Sequence, residues 1–143
     1  MSKSDTFEND LLKLIYNGTA IANIADNAAA SPLTNLWLAL HTADPGEAGN
    51  QATLEIAYTP YARVAVARNS GAWVVVGSIV SPVLAILFAR MTSGAGGIAT
   101  YASVGTAASG TGKILHSGLL TPGIVVSLGV RPILSTGSTI GEG

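Results

Sequence analysis

The side chains best suited to chemistry are concentrated in LALHTADPGEAGN, residues 38–50, which holds His41, Asp44 and Glu47. An imidazole beside two carboxylates could bind a divalent cation or carry out acid–base work. A zinc site needs three or four converging ligands, yet the chain has no cysteine, and its only other histidine is His116. His41, Asp44 and Glu47 fall at i, i+3 and i+6, which would align them on a helix, but Pro45-Gly46 breaks any helix there. Asp-Pro-Gly is instead turn chemistry: Asp44 opens the turn, Pro45 presets φ, and Gly46 tolerates a positive φ. The segment therefore reads as a strand end followed by a surface loop, with no metal set, cofactor site or catalytic residue.

Other motifs fail for similar reasons. AASGTGKI (107–114) resembles a phosphate loop, but Ala107 stands where the first glycine belongs. Ile114 occupies the place of the Ser/Thr that would hold magnesium. No G-x-S-x-G elbow occurs, and no serine–histidine pair suggests a triad. Asn17-Gly18-Thr19 matches a glycosylation acceptor but fits the end of a helix better. In YARVAVAR (61–68), period two places Tyr61 and Arg63 on one face and Arg68 on the other, so the arginines form no common patch. Without a Lys/Arg cluster, nucleic acid is not an expected partner, and no small-molecule substrate is expected either.

The elements that position these residues follow from periodicity. Asp5 and Glu8 resemble a capping box. Phe7, Leu11, Leu14 and Ile15 then form one apolar helical face, and Asn17-Gly18 closes a helix over 5–17. A connecting segment over 18–34 includes TAIANIADNAAA, a turn or short helix that leads to Ser31-Pro32. NLWLALH (35–41) alternates Leu36, Leu38 and Leu40 against Trp37, Ala39 and His41, a strand pattern. Further strand-like runs occupy 61–68, 73–76, 83–88, 98–104, 113–116, 123–128 and 132–134, separated by turn residues. TSGAGG (92–97) and GTAASGTG (105–112) read as loops. The spacing predicts a single mainly β domain over 1–143, an antiparallel, jelly-roll-like β-sandwich with a short N-terminal helix. Trp37, Tyr58, Tyr61, Trp73, Phe88 and Tyr101 are then core or subunit contacts.

The uncharged run WVVVGSIVSPVLAILFA (73–89) is too short for a membrane helix and carries Gly77 and Pro82. It reads as two buried strands broken at Ser81-Pro82. The acidic N-terminus has no signal-peptide pattern.

Charge and composition point to assembly. Charged residues make up 10% of the chain, against roughly 25% in an ordinary domain. Residues 1–55 carry seven acids against Lys3 and Lys13, whereas 56–141 carry Arg63, Arg68, Arg90, Lys113 and Arg131 and no acid. This split could steer the packing of copies, or cancel locally where strands mix. Phe7, Leu11, Ile15, His41, Asp44, Glu47, Tyr61, Arg63 and Arg68 are the candidate assembly contacts.

LHTADPGEAG, YARVAVAR, Gly71-Ala72-Trp73 and SVGTAASGTGKILHSG together resemble a family of small structural proteins of tailed bacteriophages and prophages, commonly labelled tail-fibre or hypothetical virion proteins. Leu40–Gly46 and Tyr61–Arg63 are the most specific elements, and the likeness spans nearly the whole chain. It implies a non-enzymatic virion component, assembled in the bacterial host cytoplasm, with no catalytic residues. The chain departs from the family at Val74, Val76, Ile79, Leu84, Ile86 and Leu87, where members tend to carry Thr, Asn or Asp. Burial against neighbouring subunits is one account of those positions. The compact chain without a fibrous repeat favours a capsid cement or decoration protein. Its partners would be the major capsid protein and copies of itself, as dimer or trimer. A tail or tail-fibre component is the alternative, with a carbohydrate-binding module or small hydrolase more distant.

Overall fold

The computed structural model describes residues 3–21 and 32–142. Most of the expected 18–34 connection lies outside these residues. The chain is mainly β, with three antiparallel sheets and a short N-terminal helix, as the alternating runs lead one to expect. Chain contacts divide it into two compact units. The first comprises Met1–Asn35, Ala67–Ala85 and Leu134–Gly143, and the second Leu36–Val66 and Ile86–Ile133.

The first unit opens with helix α1 (Asp5–Leu12), which widens into a π turn over Lys13–Asn17 and ends at Gly18 with φ +67°. The helix therefore covers the expected 5–17, but its cap is one residue earlier. Ser4, not Asp5, is the N-cap, and its hydroxyl accepts from the Phe7 N–H at 3.4 Å. The buried stripe also differs from the expected one. Glu8, Leu12 and Tyr16 are buried, whereas Phe7 is exposed and Leu11, Leu14 and Ile15 are half-buried. Tyr16 decides the rotation: its ring meets Trp73 edge-on, with centroids 4.8 Å apart, a contact favoured by the aromatic quadrupoles. Arg68 donates to the carbonyls of Leu14 and Ile15 at the end of the helix, where a cation complements the helix dipole.

Trp73 opens β3 (Trp73–Val76), which forms a hairpin with β4 (Ile79–Pro82), and β4 pairs in turn with β9 (Ile140–Gly141). The uncharged run thus turns at Gly77-Ser78 and not at Ser81-Pro82. Gly77 supplies the positive φ, +59°, that a two-residue hairpin needs. Pro82 is the last residue of β4, opposite Trp73. Nor is the hairpin buried on both faces: Trp73 and Val80 are covered, while Val74, Val76 and Ile79 are exposed. Among the described residues no helix is long and apolar enough to cross a membrane.

The second unit is built on a four-stranded sheet in the order β2 (Val64–Ala67), β1 (Asn35–His41), β6 (Gly97–Gly105), β7 (Ile114–Val126). β1 and β6 pair from Trp37↔Gly105 to His41↔Tyr101. The two expected runs at 113–116 and 123–128 belong to one strand, β7. Their separation survives as a gap in its ladder with β6, between the Tyr101↔Leu119 and Ala99↔Ile124 pairs. Pro122, which lacks an N–H, lies in that gap. Of the expected 83–88 run only β5 (Ile86–Leu87) is a strand, pairing with β8 (Ile133–Leu134). Leu36, Leu38, Leu40, Ile56, Phe88, Ala99, Val104 and Val126 form the apolar core of this unit. Phe88 stacks parallel to Tyr61, centroids 6.2 Å apart.

The corrected cap position is directly testable. Ser4→Ala is expected to cost about 1 kcal/mol, and Asp5→Ala distinctly less. Urea unfolding followed by circular dichroism separates the two.

Candidate functional site

His41, at the end of β1, is fully buried. Its Nδ1 lies 2.8 Å from the Thr53 carbonyl, which can only accept, so Nδ1 carries the proton. Nε2, 2.8 Å from Ser103 Oγ, then accepts from that hydroxyl in the neutral ring. Burial pushes the His41 pKa below its ordinary value, outweighing the opposing influence of the Thr53 bond and the Glu55 charge. Both nitrogens are occupied, and the ring pins the 42–56 segment to the sheet.

Buried Arg63 and half-buried Glu55 form a second polar group. Arg63 Nε donates to Glu55 Oε1 and Nη2 to Oε2, each at 2.8 Å. This two-pronged geometry matches a guanidinium to a carboxylate. Tyr61 OH donates to the same Oε1 at 2.8 Å and accepts from the Leu40 N–H at 3.1 Å. Burial raises the Tyr61 phenol well above its usual pKa, so the O–H remains a donor. The expected common face of Tyr61 and Arg63 is therefore real, and Glu55 is what it meets.

Arg63 also reaches the glycine-rich loop. Nη1 donates to Ala107 O at 3.0 Å and Nη2 to Gly110 O at 2.7 Å. Gln51, fully buried, holds the same loop from another side. Its Oε1 accepts from Ala107 N–H at 3.0 Å, its Nε2 donates to Trp37 O at 3.0 Å, and its backbone N–H bonds Gly112 O at 2.9 Å. A Cβ on Gly112 would lie 2.2 Å from Gln51 Oε1, so only glycine fits. The loop that resembles a phosphate cradle has its backbone engaged by protein side chains.

On the surface, Asp44 and Glu47 are exposed. Asp44 Oδ1 accepts from Gly46 N–H at 2.9 Å, and Gly46 has φ +71°. The turn expected at Asp44-Pro45-Gly46 is thus closed by a side chain, and the backbone turn follows at Gly46–Gly49, bonded at 3.1 Å. Asp44, Glu47, Ile114, His116 and Ser117 line an open groove of about 390 Å³. Among the described residues no group of three or more His, Asp or Glu is placed to hold a metal ion.

The candidate contacts therefore separate. Asp44 and Glu47 flank one groove, and Phe7 is exposed. Leu11, Ile15, Tyr61 and Arg68 are half-buried. His41 and Arg63 are buried and bonded within the chain. The strand expected over 61–68 is only Val64–Ala67, and Arg63 and Arg68, just outside its two ends, serve separate carbonyl sets. Sequence reasoning missed Gln51, Glu55 and Ser103. One signal for Glu55 was available: it lies eight residues before Arg63 in a chain with few acids.

The model of the family described as Podophage GP4 fiber I protein gp80 matches residues 2–139. No curated protein matches the chain.

Two outcomes follow from the buried polar groups. Glu55→Gln leaves the Arg63 charge without its counterion, which should cost about 3–5 kcal/mol. Hydrogen exchange at the Ala107 amide should accelerate, since the loop loses an anchor. For His41, the unfolded chain takes up a proton near pH 6.5 while the folded chain resists it. The unfolded state then binds more protons, so stability should fall as pH drops through 6.5 and level off below the folded pKa. Urea titrations at several pH values should show this slope in the native chain and lose it in His41→Asn.

Proposed function

Because the chain belongs to the podophage GP4 fiber I protein gp80 family, we propose that it is a non-enzymatic structural component of a phage fibre, present in several copies. The observation that carries this reading is the family match over 2–139, nearly the full chain. The family description names a fibre and not a shell, so the fibre role takes precedence over the capsid cement role favoured by composition alone.

The chemistry of the chain supports a structural role. The residues that could have formed an active site are engaged in packing: His41 with Thr53 and Ser103, Arg63 with Glu55 and the glycine-rich loop. What the chain offers outward is apolar surface, including Val76, Leu84, Leu119 and Leu128, each at least 64% exposed. Surface of that kind suits contacts between subunits of an assembly.

The test is a virion assembled without this protein. Sound, heat-resistant capsids that fail to adsorb to host cells, with antibody label on the fibres of native particles, are the expected outcome. Label on the shell, together with capsids that burst at lower temperature, would overturn the fibre reading and restore the cement one.

A further inference from the structure

The four-stranded sheet ends at β7, whose inner side pairs with β6 and whose outer side has no strand beside it among the described residues. At 13 residues β7 is long for an edge, spanning about 40 Å when extended. Edge strands of solitary proteins are usually defended by charges, because their free N–H and C=O groups invite pairing. Here Lys113 precedes the strand and Arg131 lies beyond it, and residues 114–130 between them carry no Asp, Glu, Lys or Arg. Leu119 and Val125 are exposed on the strand, and Ile98 is exposed opposite Val125. Pro122 blunts only one point of the edge.

We propose that the outer edge of β7 pairs antiparallel with β7 of a second copy, about a two-fold axis near Leu120. The charges beside the strand choose this register. The exposed carboxylates of Asp44 and Glu47 line a groove with Ile114–Ser117, at the start of β7. Exposed Arg90 and Arg131 lie beyond its other end, where Arg90 donates to Gly129 O and the Met91 N–H bonds Val130 O. Pairing Ile114–Ser117 with itself would bring the acids of both copies together. Pairing it with the far end of β7 sets the acids of each copy towards the arginines of the other. Lys113, at the acidic end, offsets one carboxylate and leaves that end net negative. A two-fold contact makes both charge pairings at once, and like-charge juxtaposition disfavours the alternative register. The inference stands on the strand and its charges and is independent of the fibre assignment.

The native chain has no cysteine, so introduced thiols report the register cleanly. Under mild oxidation Leu120→Cys should cross-link with itself, and Ile114→Cys should not. In sedimentation velocity the native chain should be dimeric, with an affinity that falls as salt rises. Glu47→Lys and Arg131→Glu, both at exposed positions, should each weaken the dimer about tenfold, and their mixture should recover most of the loss as a heterodimer. Leu119→Lys should give a folded monomer, checked by an unchanged circular dichroism spectrum. A monomeric native chain at 100 µM would overturn the proposal and leave the edge to a different protein. So would a dimer or larger oligomer indifferent to Leu119→Lys and to both charge changes, or equal self-cross-linking at positions 114 and 120.

Discussion

Arg63 makes four hydrogen bonds, two to the Glu55 carboxylate and two to the carbonyls of Ala107 and Gly110. Through these bonds the 55–63 segment and the glycine-rich loop, more than forty residues further on, take one arrangement. Tyr61 extends the group to β1 by holding the Leu40 N–H. A buried guanidinium is expensive unless it is paired and its remaining donors are satisfied, and here the loop carbonyls satisfy them. The dependence is mutual, because the loop has few side chains with which to hold itself. Its shape comes from the bonds of Arg63 and Gln51.

This interdependence explains why residues 105–112 need no apolar anchors and tolerate glycine at positions where any side chain would collide. Gly105 and Gly112 would both place a Cβ within 2.2 Å of the Gln51 amide. The glycines that suggest a phosphate cradle are there for close packing. The histidine that suggests catalysis is likewise a joint, its two nitrogens joining Thr53 to Ser103. His41, Glu55 and Arg63 are each committed to holding a particular contact.

Period-two alternation located β1, and turn residues on either side marked the runs that became β3 and β6. Asp44-Pro45-Gly46 was legible as a turn because its chemistry is local. Pairing was not legible. Arg63 and Gln51 find the glycine-rich loop across separations that no local pattern encodes. The same limit explains the helix, where the apolar spacing marked Phe7, Leu11 and Ile15. The buried stripe instead follows Leu12 and Tyr16, because Trp73 from a distant hairpin sits against Tyr16. Ser81-Pro82 was misleading because proline punctuates a strand end as readily as a turn, and the true turn needed only the glycine at 77.

The distribution of polar and apolar groups has a further consequence. Inside, Gln51, Arg63, Ser103 and His41 are buried and satisfied. Outside, Val76 and Ile79 face the same way as a cross-strand pair, with Val74 on the same face by period two, and all three are exposed. Buried polar networks contribute little net stability but fix one arrangement over its competitors. Exposed apolar side chains contribute nothing until something removes them from water, when each Å² is worth about 25 cal/mol. A chain arranged this way has its geometry specified internally by polar contacts, while its exposed apolar side chains contribute no hydrophobic free energy to the fold.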